Sequence, residues 1–146
     1  MSDTPACIEQ RVFLSVSRDR VWAALTNADD FAAWWGGPID RELEAGRTIV
    51  LTHGGRPYTF EVVEMVELER LTWRWHPGER HAVMDYSGEE KTYVSFTLAP
   101  FHDGVLLTIR ETGFDVPPLS LRQQAYADNV RGWAIQAAAL MRHFDP

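Results

Sequence analysis

LSLRQQAYADNVRGWAIQAAALMRHF, residues Leu119 to Phe144, reads as one long helix. Tyr126, Val130, Trp133, Ala137, Leu140 and Phe144 recur at steps of four and three, which sets them on one side as an apolar stripe. Arg122, Asp128, Arg131, Gln136 and Arg142 are expected on the remaining surface. Ser120 reads as an N-cap, with Gln123 three residues on to complete a capping box. Pro117 and Pro118 stand just upstream, where proline ends a strand because it has no N–H for the ladder. At ~1.5 Å per residue the helix would be ~36–39 Å long, enough to cross a whole sheet. It is expected to close one face of a curved antiparallel sheet.

The chain before it supplies that sheet. Ile8 to Val16 alternates, with Ile8, Val12, Leu14 and Val16 on one face and Glu9, Arg11, Phe13 and Ser15 on the other, which predicts a first strand. Ser17 reads as the N-cap of a short helix over Arg18 to Thr26. Asp29 is the expected cap of a second short helix through Trp35, ended by Gly36, Gly37 and Pro38. From Ile39 to Gly113 the pattern is strands: Ile39–Leu43, Arg47–His53, Tyr58–Val66, Leu71–His76, Lys91–Ala99 and Val105–Thr112. Gly54-Gly55 marks one hairpin, because Gly tolerates positive φ, and Asp103-Gly104 marks another. Pro77 to Glu90 is the one long connection, read as a flexible edge or a flap. Strands outnumber helices and are not interleaved with them, so the fold class is α+β, with about six to seven strands wrapped on the terminal helix.

Composition narrows the function classes. A chain of 146 residues is most simply one domain, spanning 1–146, and can bury roughly 68–70% of its unfolded surface without staples. The net charge of −7 argues against nucleic acid or an anionic membrane as partner, since both need basic patches. Cys7 stands alone, which excludes an internal disulfide and a cysteine zinc site. His53, His76, His81, His102 and His143 do not cluster at metal-ligand spacing, so no metal is expected, and no cofactor motif is present. No G-x-S-x-G, G-x-G-x-x-G or P-loop occurs. No apolar run reaches the ~20 residues of a membrane span, and the first residues lack the pattern of a signal peptide. A cytoplasmic location is the default expectation.

Three stretches carry a family resemblance: Ser17-Arg18-Asp19-Arg20-Val21-Trp22-Ala23-Ala24-Leu25-Thr26 with Phe31-Ala32-Ala33-Trp34-Trp35; Glu61 to Val66 leading into Glu69-Arg70-Leu71-Thr72-Trp73-Arg74-Trp75; and Tyr93 to Leu98 followed by Gly104 to Phe114. Together with the element order they resemble the helix-grip fold of the START/Bet v 1-like (SRPBCC) superfamily. Within it the chain resembles the domain named after the C-terminal part of the Aha-type activator of the heat-shock ATPase. The likeness runs from Ile8 to about Phe144. It implies a fold that hosts lipid carriers, aromatic cyclases, hormone receptors and co-chaperones, so fold alone does not name a function. Glu111 stands where many relatives carry a histidine, and Pro77–Glu90 is longer than a tight hairpin.

Strand alternation proposes who faces a cavity under the helix. Tyr58, Phe60, Val62 and Glu64 form one row; Leu71, Trp73 and Trp75 another; Val94, Phe96 and Leu98 a third; Val105, Leu107, Ile109 and Glu111 a fourth. The expected ligand-binding residues are Trp34, Trp35, Tyr58, Phe60, Trp73, Trp75, Phe96, Ile109, Glu111 and Trp133. One of Trp34 and Trp35 is expected in the core and the other at the mouth. The bland alternative is ordinary packing, since aromatics each bury ~150–250 Å² and dominate cores. Glu111 and Glu64 are the candidate pocket carboxylates; a buried one would be paired, hydrogen-bonded or raised in pKa. The alternative for Glu111 is a strand-end glutamate near water or an arginine.

The first functional reading is therefore binding of a small hydrophobic or aromatic molecule between sheet and helix. The second is a cyclase-, dehydratase- or hydrolase-like enzyme using Glu111 or Glu64. The third is a co-chaperone-like interaction module; a chaperone partner is not expected, because the companion N-terminal domain of the activator is not seen in this chain. The sheet edge and Pro77–Glu90 offer surfaces for a homodimer.

Overall fold

In a computed structural model of the chain, residues 7–75, 91–114 and 119–145 are described, without the side chains of 119–123. His76, His81 and the Pro77–Glu90 connection lie outside them, as does the side chain of Gln123.

β1 (Cys7–Leu14) is followed by α1 (Arg18–Thr26) and α2 (Ala28–Trp35), then β2 (Thr48–His53), β3 (Arg56–Val66), β4 (Arg70–Trp75), β5 (Thr92–Phe101), β6 (Gly104–Thr112) and α3 (Leu119–Phe144). The six strands form one antiparallel sheet in the order β1-β6-β5-β4-β3-β2. The sheet is curved, α3 runs across it, and the whole is the expected α+β helix-grip arrangement. Ile8, Val12 and Leu14 of β1 are buried and Phe13 is exposed, as alternation required.

Local chemistry sets the helix ends. The Ser17 side chain accepts from Arg20 N at 3.4 Å and caps α1. Asn27, not Asp29, caps α2: its Oδ1 accepts from Asp30 N at 3.1 Å, while Glu42 Oε2 accepts from Ala28 N at 2.9 Å. Asp29 sits in the first turn, where its charge favours the positive end of the helix dipole. Gly36 ends α2 in the left-handed region, φ 102°. α3 begins at Leu119, which places Ser120 inside the first turn and not before it.

Several expectations fail for identifiable reasons. Ile39–Leu43 is not a strand; only Ile39 bridges to Leu51. The Asp40 side chain takes the Val50 N–H at 2.9 Å, and Leu43 N turns away to Thr26 O at 3.3 Å, so the ladder cannot extend. The β5–β6 turn is His102-Asp103, with Phe101 paired to Gly104, so the strands run further than Asp103-Gly104 implied. Gln136 is buried, not on the polar surface of α3.

The tyrosine-to-glutamate row on β3 is also broken. Val62 pairs with Trp73 but Glu64 pairs with Thr72, so Val63 is an extra residue in a bulge. Phe60 and Val62 face the core, and after the bulge Met65 packs on it instead of Glu64. One inserted residue reverses which face each following side chain takes. Glu64 therefore points to water and pairs with Arg70, Nε to Oε1 2.8 Å. It is not a pocket carboxylate.

Candidate functional site

The buried interior between sheet, α2 and α3 is aromatic. Trp73 on β4 is fully buried and touches Phe60, Phe96, Trp75, Phe31 and Trp35, with ring centroids 3.9, 4.9, 5.7, 6.4 and 6.2 Å away. Trp35 at the end of α2 lies 6.4 Å from Trp75 and 5.8 Å from Trp133. Trp133 on α3 completes the ring with Trp75 at 5.9 Å and Phe96 at 5.8 Å. Most of these pairs are edge-to-face, the geometry that the ring quadrupoles favour.

Four tryptophans thus meet from three elements: Trp35 from α2, Trp73 and Trp75 from β4, Trp133 from α3. Neither Trp34 nor Trp35 lies at a mouth; they are 5% and 6% exposed. Trp75 is the half-buried member. Trp34 donates Nε1 to Ala24 O at 2.7 Å and so ties α2 to α1, with its ring against Phe31.

At the centre of one side is Glu111, in the inward row of β6 after Val105, Leu107 and Ile109. It is fully buried. Its Oε1 accepts from Trp133 Nε1 at 2.7 Å and from Asn129 Nδ2 at 2.8 Å. Its Oε2 accepts from Trp75 Nε1 at 2.8 Å, from Asn129 Nδ2 at 3.0 Å and from the Thr92 hydroxyl. Among the described residues no cation forms an ion pair with it. The strand-end alternative, with water or an arginine beside the carboxylate, does not describe it.

The electrostatics follow from two opposed effects. Burial raises the Glu111 carboxyl above its ordinary range, because the charged form loses its hydration. The hydrogen bonds from Thr92, Trp75, Trp133 and Asn129 pull it down again without cancelling the rise. Two of the donors are indoles, which cannot accept, so they favour the ionised form. Both oxygens are engaged; a proton arriving from a substrate must displace a donor.

The sequence reading missed Thr92 and Asn129. Both were legible: Thr92 precedes Val94, Phe96 and Leu98 in their inward row, and Asn129 lies four residues before Trp133 on the same helical face. Of the remaining candidates, Phe60 and Phe96 wall the tryptophan cluster, and Ile109 is core between β5 and β1. Tyr58 is only part-buried, pairs with Leu51, and is not brought to Glu111.

Three buried polar atoms have no hydrogen-bond partner among the described residues: Trp35 Nε1, Trp73 Nε1 and Gln136 Oε1. Buried polar groups are satisfied in the large majority of cases, and two of these three, Trp35 and Trp73, belong to the aromatic interior. No group of three or more His, Cys, Asp or Glu residues converges as a metal site among the described residues. Nor is any described helix long and apolar enough to cross a membrane.

The fold and this interior define a helix-grip domain with a carboxylate buried beneath its terminal helix. The chain belongs to the family described as Activator of Hsp90 ATPase homolog 1-like protein, whose model matches residues 15–144. No curated protein matches the sequence. Among solved structures it is similar to DynU16, a protein of the dynemicin biosynthetic locus, with TM-score 0.77 and 21% identity over 97% of this chain and 48% of that one. The chain thus spans about half the length of DynU16. It is similar to protein MLL2253 from Mesorhizobium loti, with TM-score 0.76 and 19% identity over 95% and 96% of the two chains. The Aha1 dimer from Colwellia psychrerythraea, a solution structure, gives TM-score 0.73 and 21% identity over 94% and 95%. At these identities the likeness establishes the fold alone.

Proposed function

We propose that this domain binds a small, largely apolar or aromatic molecule between the sheet and α3, next to the tryptophan cluster. The observation that carries the reading is Glu111: a fully buried carboxylate that pairs with no cation among the described residues, set among Trp75, Trp133 and their neighbours. Well-packed apolar residues in place of buried charge are often neutral or stabilising. Perturbed ionisable groups in apolar surroundings collect at functional sites. Aromatic walls with a few fixed polar groups are the usual make-up of a small-molecule site. Half-buried Trp75 marks the side from which a ligand would enter.

Binding is favoured over catalysis because both Glu111 oxygens are occupied by donors. The raised carboxyl pKa keeps a proton-transfer enzyme as the second reading.

The test is tryptophan fluorescence and thermal unfolding against a library of aromatic and lipid-like compounds. A binder quenches and gains about 2.7 kcal/mol of stability at a ligand concentration 100-fold above Kd. It retains binding in Glu111→Gln, whereas an enzyme loses turnover there while binding survives. Quenching by no compound would overturn both readings.

A further inference from the structure

We infer that the outward face of α3, centred on Ala138, is the interface of an antiparallel dimer with a second copy of this chain. α3 buries one side, with Trp133, Ala137 and Leu140. Its other side carries Ile135 and Met141, 62% and 50% exposed, the two most exposed large apolar side chains among the described residues. Ala134 and Ala138 lie between them and are exposed too, so the four form one apolar stripe and not scattered singles. Arg131, Arg142 and Asp145 stand exposed toward its ends. Asp145 N still bonds Met141 O at 2.9 Å, so the helical turn carries through to it. From Arg131 through Ala134, Ala138 and Met141 to Asp145 the stripe steps by three and four, the spacing with which two helices keep contact over several turns.

The order of these residues says what lies against them. Ile135 and Met141 each stand three residues from Ala138, and Arg131 and Asp145 each seven, on opposite sides of it. The stripe therefore reads the same from either end in apolar character and reverses its sign in charge. A surface that pairs with itself about an antiparallel two-fold axis needs that arrangement. With the axis beside Ala138, Ile135 of one protomer meets Met141 of its partner, and Arg131 meets Asp145 at both ends. A small residue at the axis lets the helices approach to the near end of the usual ~8–10 Å separation. Arg131 bonds Asp128 within its own helix at 2.5 Å, yet its side chain remains 62% exposed. Asp145 forms no ion pair among the described residues. A parallel pair would set Arg131 on Arg131 and Asp145 on Asp145. An anionic membrane also suits a stripe rimmed by Arg131 and Arg142, but the net charge of −7 opposes it. About four turns against four bury less than the ~1,600 Å² of a standard interface, so the dimer should be weak and concentration-dependent.

The test is sedimentation velocity of the full chain at neutral pH, from micromolar to millimolar concentration. The wild type should pass from monomer to dimer across that range. Ile135→Lys should weaken the dimer at least ~10-fold. Its urea midpoint in dilute solution should match wild type, since the side chain is exposed in the monomer. Arg131→Glu and Asp145→Lys should each weaken self-association, because each then faces like charges across the axis. An equimolar mixture of these two variants should dimerise again, since every contact between them joins opposite charges. That rescue requires the antiparallel register and no other. A monomer at every concentration overturns the inference. So does a dimer that Ile135→Lys leaves intact, or one that mixing the two charge variants does not restore. A monomer that sediments with phosphatidylglycerol vesicles would assign the face to a lipid surface and overturn it as well.

Discussion

Trp133 Nε1 on α3 stands 2.7 Å from Glu111 Oε1 near the end of β6, and this buried hydrogen bond ties the terminal helix to the sheet. Asn129, one turn earlier, bonds the same carboxylate. Trp75 and Thr92 bring in β4 and β5. One side chain thus joins four elements that the hydrophobic pattern alone would only have stacked.

Trp133→Phe keeps an aromatic ring and deletes the donor. A hydrogen bond to a charged group contributes ~1.5–3 kcal/mol, and the smaller ring leaves a void. The variant should be destabilised by about 3 kcal/mol in urea titration. Hydrogen exchange should show α3 amides losing protection before those of β5 and β6.

Glu111→Gln should change stability in a pH-dependent way. The folded carboxyl is raised from its ordinary 4.5, so the native state binds the proton more tightly than the unfolded chain. The wild-type contribution is complete below about 4.5 and is lost as pH rises through the folded value. Wild type minus variant should therefore be most favourable at low pH and shrink toward neutrality. Urea midpoints for both proteins between pH 4 and 8 check this; a difference that grows with pH would mean a depressed carboxyl.

Asn129→Asp sets a second carboxylate against the first, since Asn129 Nδ2 lies 2.8 and 3.0 Å from the two Glu111 oxygens. Two like charges at that distance share one proton and raise a pKa. The melting temperature should fall sharply at pH 7 and recover part of the difference at pH 5, because protonation stabilises only the native pair. Thermal melts at the two pH values decide it.

Gly37→Ala tests the seat of α2. A Cβ built there would lie 1.7 Å from the carbonyl oxygen of Thr52, so backbone must move. A loss of about 3 kcal/mol is expected. Because the shift displaces the end of α2, Trp35 fluorescence should change as well.

Glu64→Gln is the surface counterpart of Glu111→Gln. The Arg70 guanidinium holds the Glu64 carboxyl below its usual range, but the pair is in water. Exposed pairs contribute little. Neither ligand affinity nor the melting temperature should change measurably at neutral pH.

Much of the architecture was written in periodicity. The four-and-three stripe of α3 is the face that packs, from Tyr126 to Phe144, because a helix repeats every 3.6 residues whatever it meets. Alternation likewise placed Trp73, Phe96, Ile109 and Glu111 inward, and Gly54-Gly55 made its turn with φ of 60° and 78°. The sequence by itself could not foresee the bulge at Val63, which depends on how β3 and β4 settle against each other and which turned Glu64 out to Arg70. Nor could it say that Glu111 collects its donors from β4, β5 and α3, since residues as distant as Trp75 and Trp133 become neighbours only once helix and sheet close. Local pattern sets which way a side chain faces; three-dimensional closure sets what it faces, and the chemistry of this site lives in the second.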